Sequence, residues 1–214
     1  MKKIFLLVFC TFAFSTQSFA QNVTVENLTK KAVLSYYDNA EWTNSGVNYF
    51  AMNTSEWKDT YDGWTGEPFL ASKNSAGKLV SCPDNEFSII KIDPENELNR
   101  TLFACVSVEN FLNYVVEGTY PVNNRYRAND ASKLIEKAVL EYYNQAHWTN
   151  SSVKYIAFSG DTDCPDAQFS INKIEGTAYT LFTCVSVKDF LNYVAEGIYP
   201  AILYKAEPSR DVHH

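Results

Sequence analysis

The chain has 214 residues, of which 46% are hydrophobic and 15% aromatic, and its formal net charge is −7 at pH 7. This acidic balance argues against nucleic acid or anionic lipid as a partner, because both attract surfaces rich in Lys and Arg. Beyond the N-terminus no apolar run approaches the ~20 residues of a membrane-spanning helix, so we expect no insertion into a membrane.

Residues 1–20 have the pattern of a secretory signal peptide. Lys2 and Lys3 form a charged start, an apolar run covers 4–14, and small residues precede a cleavage point after Ala20. Cleavage there removes two lysines and no acids, which moves the net charge from −7 to −9. The style of the segment is typical of bacteria. We therefore expect an exported protein, in the periplasm or secreted, with the periplasm favoured.

Most of the remaining chain consists of two similar sequence repeats. The pattern KAVLxYYxxAxWTNS occurs at 31–45 and again at 137–151, and CVSVxxFLNYVxEGxYP occurs at 105–121 and again at 184–200. Such a repeat predicts two copies of one structural unit. The predicted boundaries follow from it: repeat unit 1 at 21–122, a linker at 123–130, repeat unit 2 at 131–206 and a disordered tail at 207–214.

Each unit opens with a predicted helix and strand. Apolar residues recur every three or four positions from Leu28 to Ala40, as in an amphipathic helix, and the second copy runs from Leu134 to Ala146. The Trp-Thr-Asn-Ser motif that follows is interpreted as a polar turn. Alternating apolar residues then predict a half-buried strand at 47–51 and at 153–157.

A hairpin and a second helix complete each unit. In the first unit the predicted hairpin strands are 87–92 and 101–106. Ser107 can cap the closing helix, and Gly118 can end it in the left-handed conformation. The second unit repeats the pattern with a shorter hairpin turn at 175–178. We therefore expect an α+β fold, a tandem duplication of a small helix–strand–strand–strand–helix unit.

The cysteines predict two disulfides. Of the five, Cys10 leaves with the signal peptide, and the other four fall as one pair in each unit. An even number of cysteines in an exported protein is typical of structural bridges. Three connectivities are possible, and the repeat favours a bridge within each unit, Cys82 with Cys105 and Cys164 with Cys184.

No residue pattern predicts a catalytic, metal or cofactor site. The G-x-S-x-G, H-E-x-x-H and phosphate-loop motifs are missing, and His147 is the only histidine between the signal and the tail. Asp161 and Asp163 lack the closing bidentate Glu of a calcium loop. We therefore expect no cofactor and favour a protein that is not an enzyme. A carboxylate pair that meets only in three dimensions stays open as an alternative.

The first unit carries about 24 residues that the second lacks, an insertion at about 53–77. Loops inserted into a scaffold are frequent sites of function, and Trp and Tyr beside acids resemble interface anchors for a basic partner. A loop packed on its own aromatics is the alternative interpretation, which we weigh slightly more heavily. The candidate partner-binding residues are Trp57, Asp59, Tyr61, Asp62, Trp64 and Glu67.

Together these features favour an exported binding or inhibitory protein, for example an immunity or anti-hydrolase factor that occludes a cationic enzyme. The expected partner is another protein, and the acidic charge of the chain is compatible with a basic one. Two alternatives remain open at this stage. One is a cell-wall or glycan hydrolase with carboxylates between the two units, and the other is a surface-assembly subunit.

Overall fold

The computed structural model describes residues 23–53, 72–73, 79–80, 82–83, 85–95, 100–121, 128–200 and 204–205. Four predictions concern residues outside these ranges. They are the signal peptide, most of the insertion, residues 123–127 of the linker and the disordered tail.

The first unit folds as one antiparallel sheet with two helices. Its elements in chain order are helix α1 (Val25–Tyr36), strands β1 (Ala40–Asn44), β2 (Val47–Asn53), β3 (Ser72–Lys73), β4 (Leu79–Val80), β5 (Glu86–Ile92) and β6 (Arg100–Ser107), and helix α2 (Val108–Val116). The sheet has the order β1-β2-β5-β6, and the short strands β3 and β4 pair with each other.

The second unit repeats this arrangement. Its elements are helix α3 (Ala131–Tyr142), strands β7 (Ala146–Asn150), β8 (Val153–Ser159), β9 (Gln168–Glu175) and β10 (Ala178–Ser186), helix α4 (Val187–Ala195) and strand β11 (Tyr204–Lys205). The sheet has the order β10-β9-β8-β7-β11, so β11 is added beside the four strands that match the first unit. The predicted α+β duplication is confirmed.

Each main sheet has one strand, β1 or β7, that the sequence analysis does not predict, and the short strands β3, β4 and β11 are further additions. The segment interpreted as a polar turn after the first helix is strand β1, in which Ala40 and Trp42 are buried while their neighbours are exposed. The helix ends at Tyr36 instead of continuing to Ala40, because Asn39 adopts a left-handed φ of 61° and its N–H bonds to the Ala51 carbonyl at 2.8 Å. The predicted turn is displaced to the two residues that join β1 to β2.

That turn has a positive φ at both central residues in each unit, 51° and 77° at Ser45 and Gly46, and 47° and 67° at Ser151 and Ser152. Two-residue hairpins favour this conformation because its twist matches that of the strands. Gly tolerates it without a steric penalty, whereas the Ser-Ser pair of the second unit is an unusual choice. For this reason the sequence analysis did not predict the hairpin.

The predicted caps of the closing helices are confirmed. The Ser107 hydroxyl accepts a hydrogen bond from the Asn110 N–H at 3.3 Å, and the Ser186 hydroxyl accepts one from the Asp189 N–H at 3.1 Å. Each bond satisfies a backbone donor that has no partner within its helix. Gly118 then adopts a φ of 78°, which stops α2 where the sequence places its end.

The two units share their hydrophobic cores. Leu134 and Ala138 of α3 lie in the first core, and Leu28 and Ala32 of α1 lie in the second. Helices α1 and α3 pack along each other, and each contacts both α2 and α4. Because α1 and α3 each contribute one face to the first core and another face to the second, the helices form a layer between the two sheets.

None of the described helices is long and apolar enough to cross a membrane.

Both predicted disulfides are confirmed. Cys82 is bonded to Cys105 with a Cα–Cα distance of 5.3 Å, and Cys164 is bonded to Cys184 with a Cα–Cα distance of 5.6 Å. Each bridge ties the segment before the third main strand of its sheet to the fourth, which lies at the sheet edge. Each therefore closes a loop that contains one complete strand.

The shared core predicts that the units unfold together. Leu134→Ala removes a fully buried side chain that the second unit contributes to the first core, so we expect a loss of about 2–5 kcal/mol in the free energy of unfolding. Urea denaturation followed by near- and far-ultraviolet circular dichroism should show one transition with both probes. Lys133→Ala, an exposed position on the same helix, is the control and should change stability by less than about 0.5 kcal/mol. Two separate transitions would contradict a shared core.

A second prediction concerns the bridge of the second unit, whose cysteines are separated by 20 residues. The double substitution Cys164→Ser and Cys184→Ser should lower the free energy of unfolding by about 3 kcal/mol, because the open chain gains conformational entropy when unfolded. Denaturant titration of both proteins measures the difference. An unchanged midpoint would show that the bridge adds nothing to stability.

Candidate binding surface

The candidate residues of the insertion, Trp57 to Glu67, lie outside the described residues, so their role as a binding loop stays a prediction. The described part of the chain offers a different surface, which the sequence analysis did not single out. It consists of two separate regions, one on edge strand β6 and one on edge strand β10, and these strands carry most of the large hydrophobic side chains that are exposed in the described residues.

A row of five aromatic rings leads to this surface in each unit, and we call it the aromatic ladder. In the first unit Phe103 contacts Tyr49 at 5.7 Å between ring centroids, Tyr49 stacks on Trp42 at 5.8 Å, and Trp42 stacks on Tyr120 at 4.7 Å. Tyr114 completes it, 5.0 Å from Tyr120. These separations are those of favourable aromatic pairs.

The ladder of the second unit has nearly the same dimensions. Its centroid distances are 5.5 Å for Phe182–Tyr155, 5.7 Å for Tyr155–Trp148, 4.6 Å for Trp148–Tyr199 and 5.3 Å for Tyr199–Tyr193. In both units the Trp and the first Tyr are opposite each other in the pairing of neighbouring strands. The local sheet register therefore places the inner rings. Tyr37, Trp42 and their copies Tyr143 and Trp148 are buried core residues.

Phe103 and Phe182 form the outer ends of the two ladders. Each is 60% exposed although it is a large apolar side chain. The strand pairing skips Phe103 between Leu102 and Ala104, and it skips Phe182 between Leu181 and Thr183. Each Phe is thus the extra residue of a β-bulge, a feature that re-aims a side chain at a sheet edge.

The signal for these bulges is present in the sequence. Leu-Phe occurs at the same position of both edge strands, and two successive apolar residues break the alternation expected of a half-buried strand. The alternation alone does not say which of the two residues leaves the register. That choice depends on the pairing with the neighbouring strand.

The outer faces of the two sheets, directed away from the helices, differ in polarity. In the first unit Phe50, Met52 and Ile90 form a buried apolar cluster. In the second unit Asn172 occupies the position of Ile90, and Asp161 of the preceding loop lies beside it. Hydrogen bonds to the Asp161 carboxylate from the Asp163 backbone, and further bonds from the side chains of Ser170 and Asn172, hold its pKa below the ordinary value. The carboxylate is therefore already supplied with protein donors.

No protein-family model, no curated protein and no solved structure matches the chain.

Hydrogen bonds favour the ionised form of two of the described carboxyl groups. The pKa of Glu26 is lowered by a hydrogen bond from Lys30, and the pKa of Asp130 is lowered by hydrogen bonds from Ser132. A carboxyl group that donates a proton near neutral pH needs a raised pKa instead. Within the described ranges, no group of three or more His, Cys, Asp and Glu residues could hold a metal ion.

The second ladder predicts a loss of stability at high pH. Burial raises the pKa of Tyr199 to about 12, and the nearby Tyr193 and Tyr155 add to this shift. The unfolded chain ionises this residue near pH 10, so the stabilisation is complete below pH 10 and is lost as the pH rises towards 12. We expect a loss on the order of 1 kcal/mol, less than the full value of the shift because Tyr199 is only half-buried.

Urea denaturation of the wild type and of Tyr199→Phe across this pH range measures the effect. The variant lacks the ionising hydroxyl and should lose less stability over the same interval. Equal pH dependence of the two proteins would contradict the assignment.

Proposed function

We propose that this protein is an exported binding protein that occludes a basic partner protein, acting as an inhibitor or immunity factor. The observation that carries the proposal is the pair of exposed phenylalanines, Phe103 and Phe182, held on matching bulges of the two units. An apolar side chain kept exposed at the same place in both units favours a contact role over a role in folding.

The aromatic ladder supports this interpretation. Each exposed Phe rests on a Tyr that is itself stacked on a buried Trp, so the ring is supported from behind and loses little conformational freedom on binding. Aromatic anchors held in this way are frequent hot spots of protein interfaces. The duplication supplies two anchors on one molecule, and a partner that reaches both gains from their combined contact.

The charge of the chain supports a basic partner. The net charge of −9 that remains after the predicted cleavage attracts a cationic protein over a distance and speeds its association. The insertion adds Trp57 and Trp64 among acidic residues, a composition suited to the same partner. We propose that the insertion and the two phenylalanines contribute to one interaction.

The disulfides support export. Bridges of this kind persist in oxidising compartments and are rare in the cytosol. They agree with the signal peptide expected at 1–20, and we propose the periplasm of a bacterium as the place of action.

The test is a pull-down from the envelope and secreted fractions of the native organism with oxidised residues 21–214 as bait. The double substitution Phe103→Ser and Phe182→Ser should weaken retention of a basic protein at least about tenfold, since an aromatic hot spot contributes 2 kcal/mol or more. Deletion of 54–76 should also weaken it. Higher salt should slow association with the unmodified bait.

Ile198→Ser is the matched control, because Ile198 is 51% exposed and lies outside both bulges. This control should retain the partner fully. Retention that is equal for the double variant and the wild type would reject the phenylalanines as anchors. Cleavage of cell-wall material by the purified protein would instead favour the hydrolase.

A further inference from the structure

Strand β10 forms an edge of the second sheet and pairs only with β9 among the described strands. The other side of an edge strand carries backbone N–H and C=O groups that can pair with a further strand. Proteins usually protect such edges with charged side chains, with Pro, or with bulges. In β10 only the bulge at Phe182 is present, because its nine residues, Ala178–Ser186, contain neither a charge nor a proline.

The corresponding edge of the first unit differs at one informative position. Arg100 pairs with Ile92 in the first sheet, and Tyr179 pairs with Ile174, the equivalent residue of the second sheet. The first edge therefore carries a charge where the second carries an aromatic residue.

Two exposed apolar side chains lie on the same face of β10. Tyr179 is 58% exposed and Leu181 is 42% exposed, and they flank Thr180 at a spacing of two residues. Tyr179 contacts Phe158 at 5.8 Å, on the side of the sheet that faces away from the helices. Phe182, by contrast, contacts Tyr155 on the helix side. The face that carries Tyr179 and Leu181 is thus separate from the proposed Phe182 anchor.

We propose that β10 pairs with β10 of a second copy of this chain, antiparallel and with Thr180 opposite Thr180. In this register Tyr179 lies opposite Leu181 of the second copy, and Leu181 lies opposite its Tyr179. Cross-strand aromatic and aliphatic pairs of this kind stabilise sheets. The two contacts are related by a two-fold axis, as the interface of a symmetric dimer requires.

A second copy fits this edge better than a different protein. The strand offers no charge that would select an acidic or basic segment, and the arrangement of Tyr179 and Leu181 about Thr180 is complementary to itself. The bulge at Phe182 interrupts the regular strand after Leu181, so the register with a second copy has little freedom to slip. The dimer joins two sheets across one edge and does not depend on the proposed function.

The contact is short, and the acidic copies repel each other at a distance. We therefore expect a weak dimer with a dissociation constant on the order of micromolar. Its affinity should rise with salt, because salt screens the repulsion between two acidic chains while the paired strands carry no charge. This salt dependence is opposite to that expected for a basic partner.

Sedimentation equilibrium of oxidised residues 21–214, at low and high salt, tests the proposal. The wild type should show a monomer–dimer equilibrium, and Leu181→Lys should raise the dissociation constant at least about tenfold by placing a charge within the pairing edge. Leu102→Lys, the same substitution at the equivalent position of the first unit, is the matched control and should leave the equilibrium unchanged. Circular dichroism checks that both variants are folded.

A second variant locates the register without disturbing the edge. Thr180→Cys should give a covalent dimer with a short thiol cross-linker, because residues directly opposite in antiparallel strands have Cα atoms about 4.5–5.5 Å apart. Thr101→Cys in the first unit should give none. A wild type that stays monomeric at high concentration, a dimer that survives Leu181→Lys, or equal cross-linking at both positions would overturn the proposal.

Discussion

The packing of helix α1 against helix α3 is the contact on which the rest of the structure depends. Each of the two helices supplies buried side chains to its own unit and to the other, so Leu28 and Leu134 lie in the core of the opposite repeat. A domain as small as the second unit buries a small share of the surface of its unfolded chain, so its stability is marginal by itself. Sharing the helix layer increases the surface that each unit buries. The disulfides add further stability by restricting the unfolded chain.

Rigid support from this layer extends to the surface of the molecule. The buried Trp42 and Trp148 belong to the cores, and through Tyr49 and Tyr155 they hold the exposed Phe103 and Phe182. The bulges that orient these two residues recur in both units, although a bulge locally disrupts the hydrogen bonding between strands. A binding role for the two phenylalanines gives a physical reason for keeping both features.

The differences between the units are as informative as their likeness. The outer face is apolar around Ile90 in the first sheet and polar around Asn172 in the second. The edge strand begins with Arg100 in one unit and carries Tyr179 at the matching position of the other. The common framework is therefore maintained on the helix side, while the outer faces and edges have diverged. Divergence at these places is what separate contact surfaces require.

The sequence by itself determined the features that depend on neighbouring residues or on the repeat. Helix periodicity, the caps at Ser107 and Ser186, the stop at Gly118 and the two disulfides all follow from local chemistry or from comparing one unit with the other. Only the tertiary structure decided that Ala40 and Trp42 belong to a strand, that the bulges fall on Phe103 and Phe182, and which side chains each unit contributes to the core of the other. These features depend on strand pairing and helix packing between distant residues, and the pattern of apolar side chains within one segment does not specify its partner.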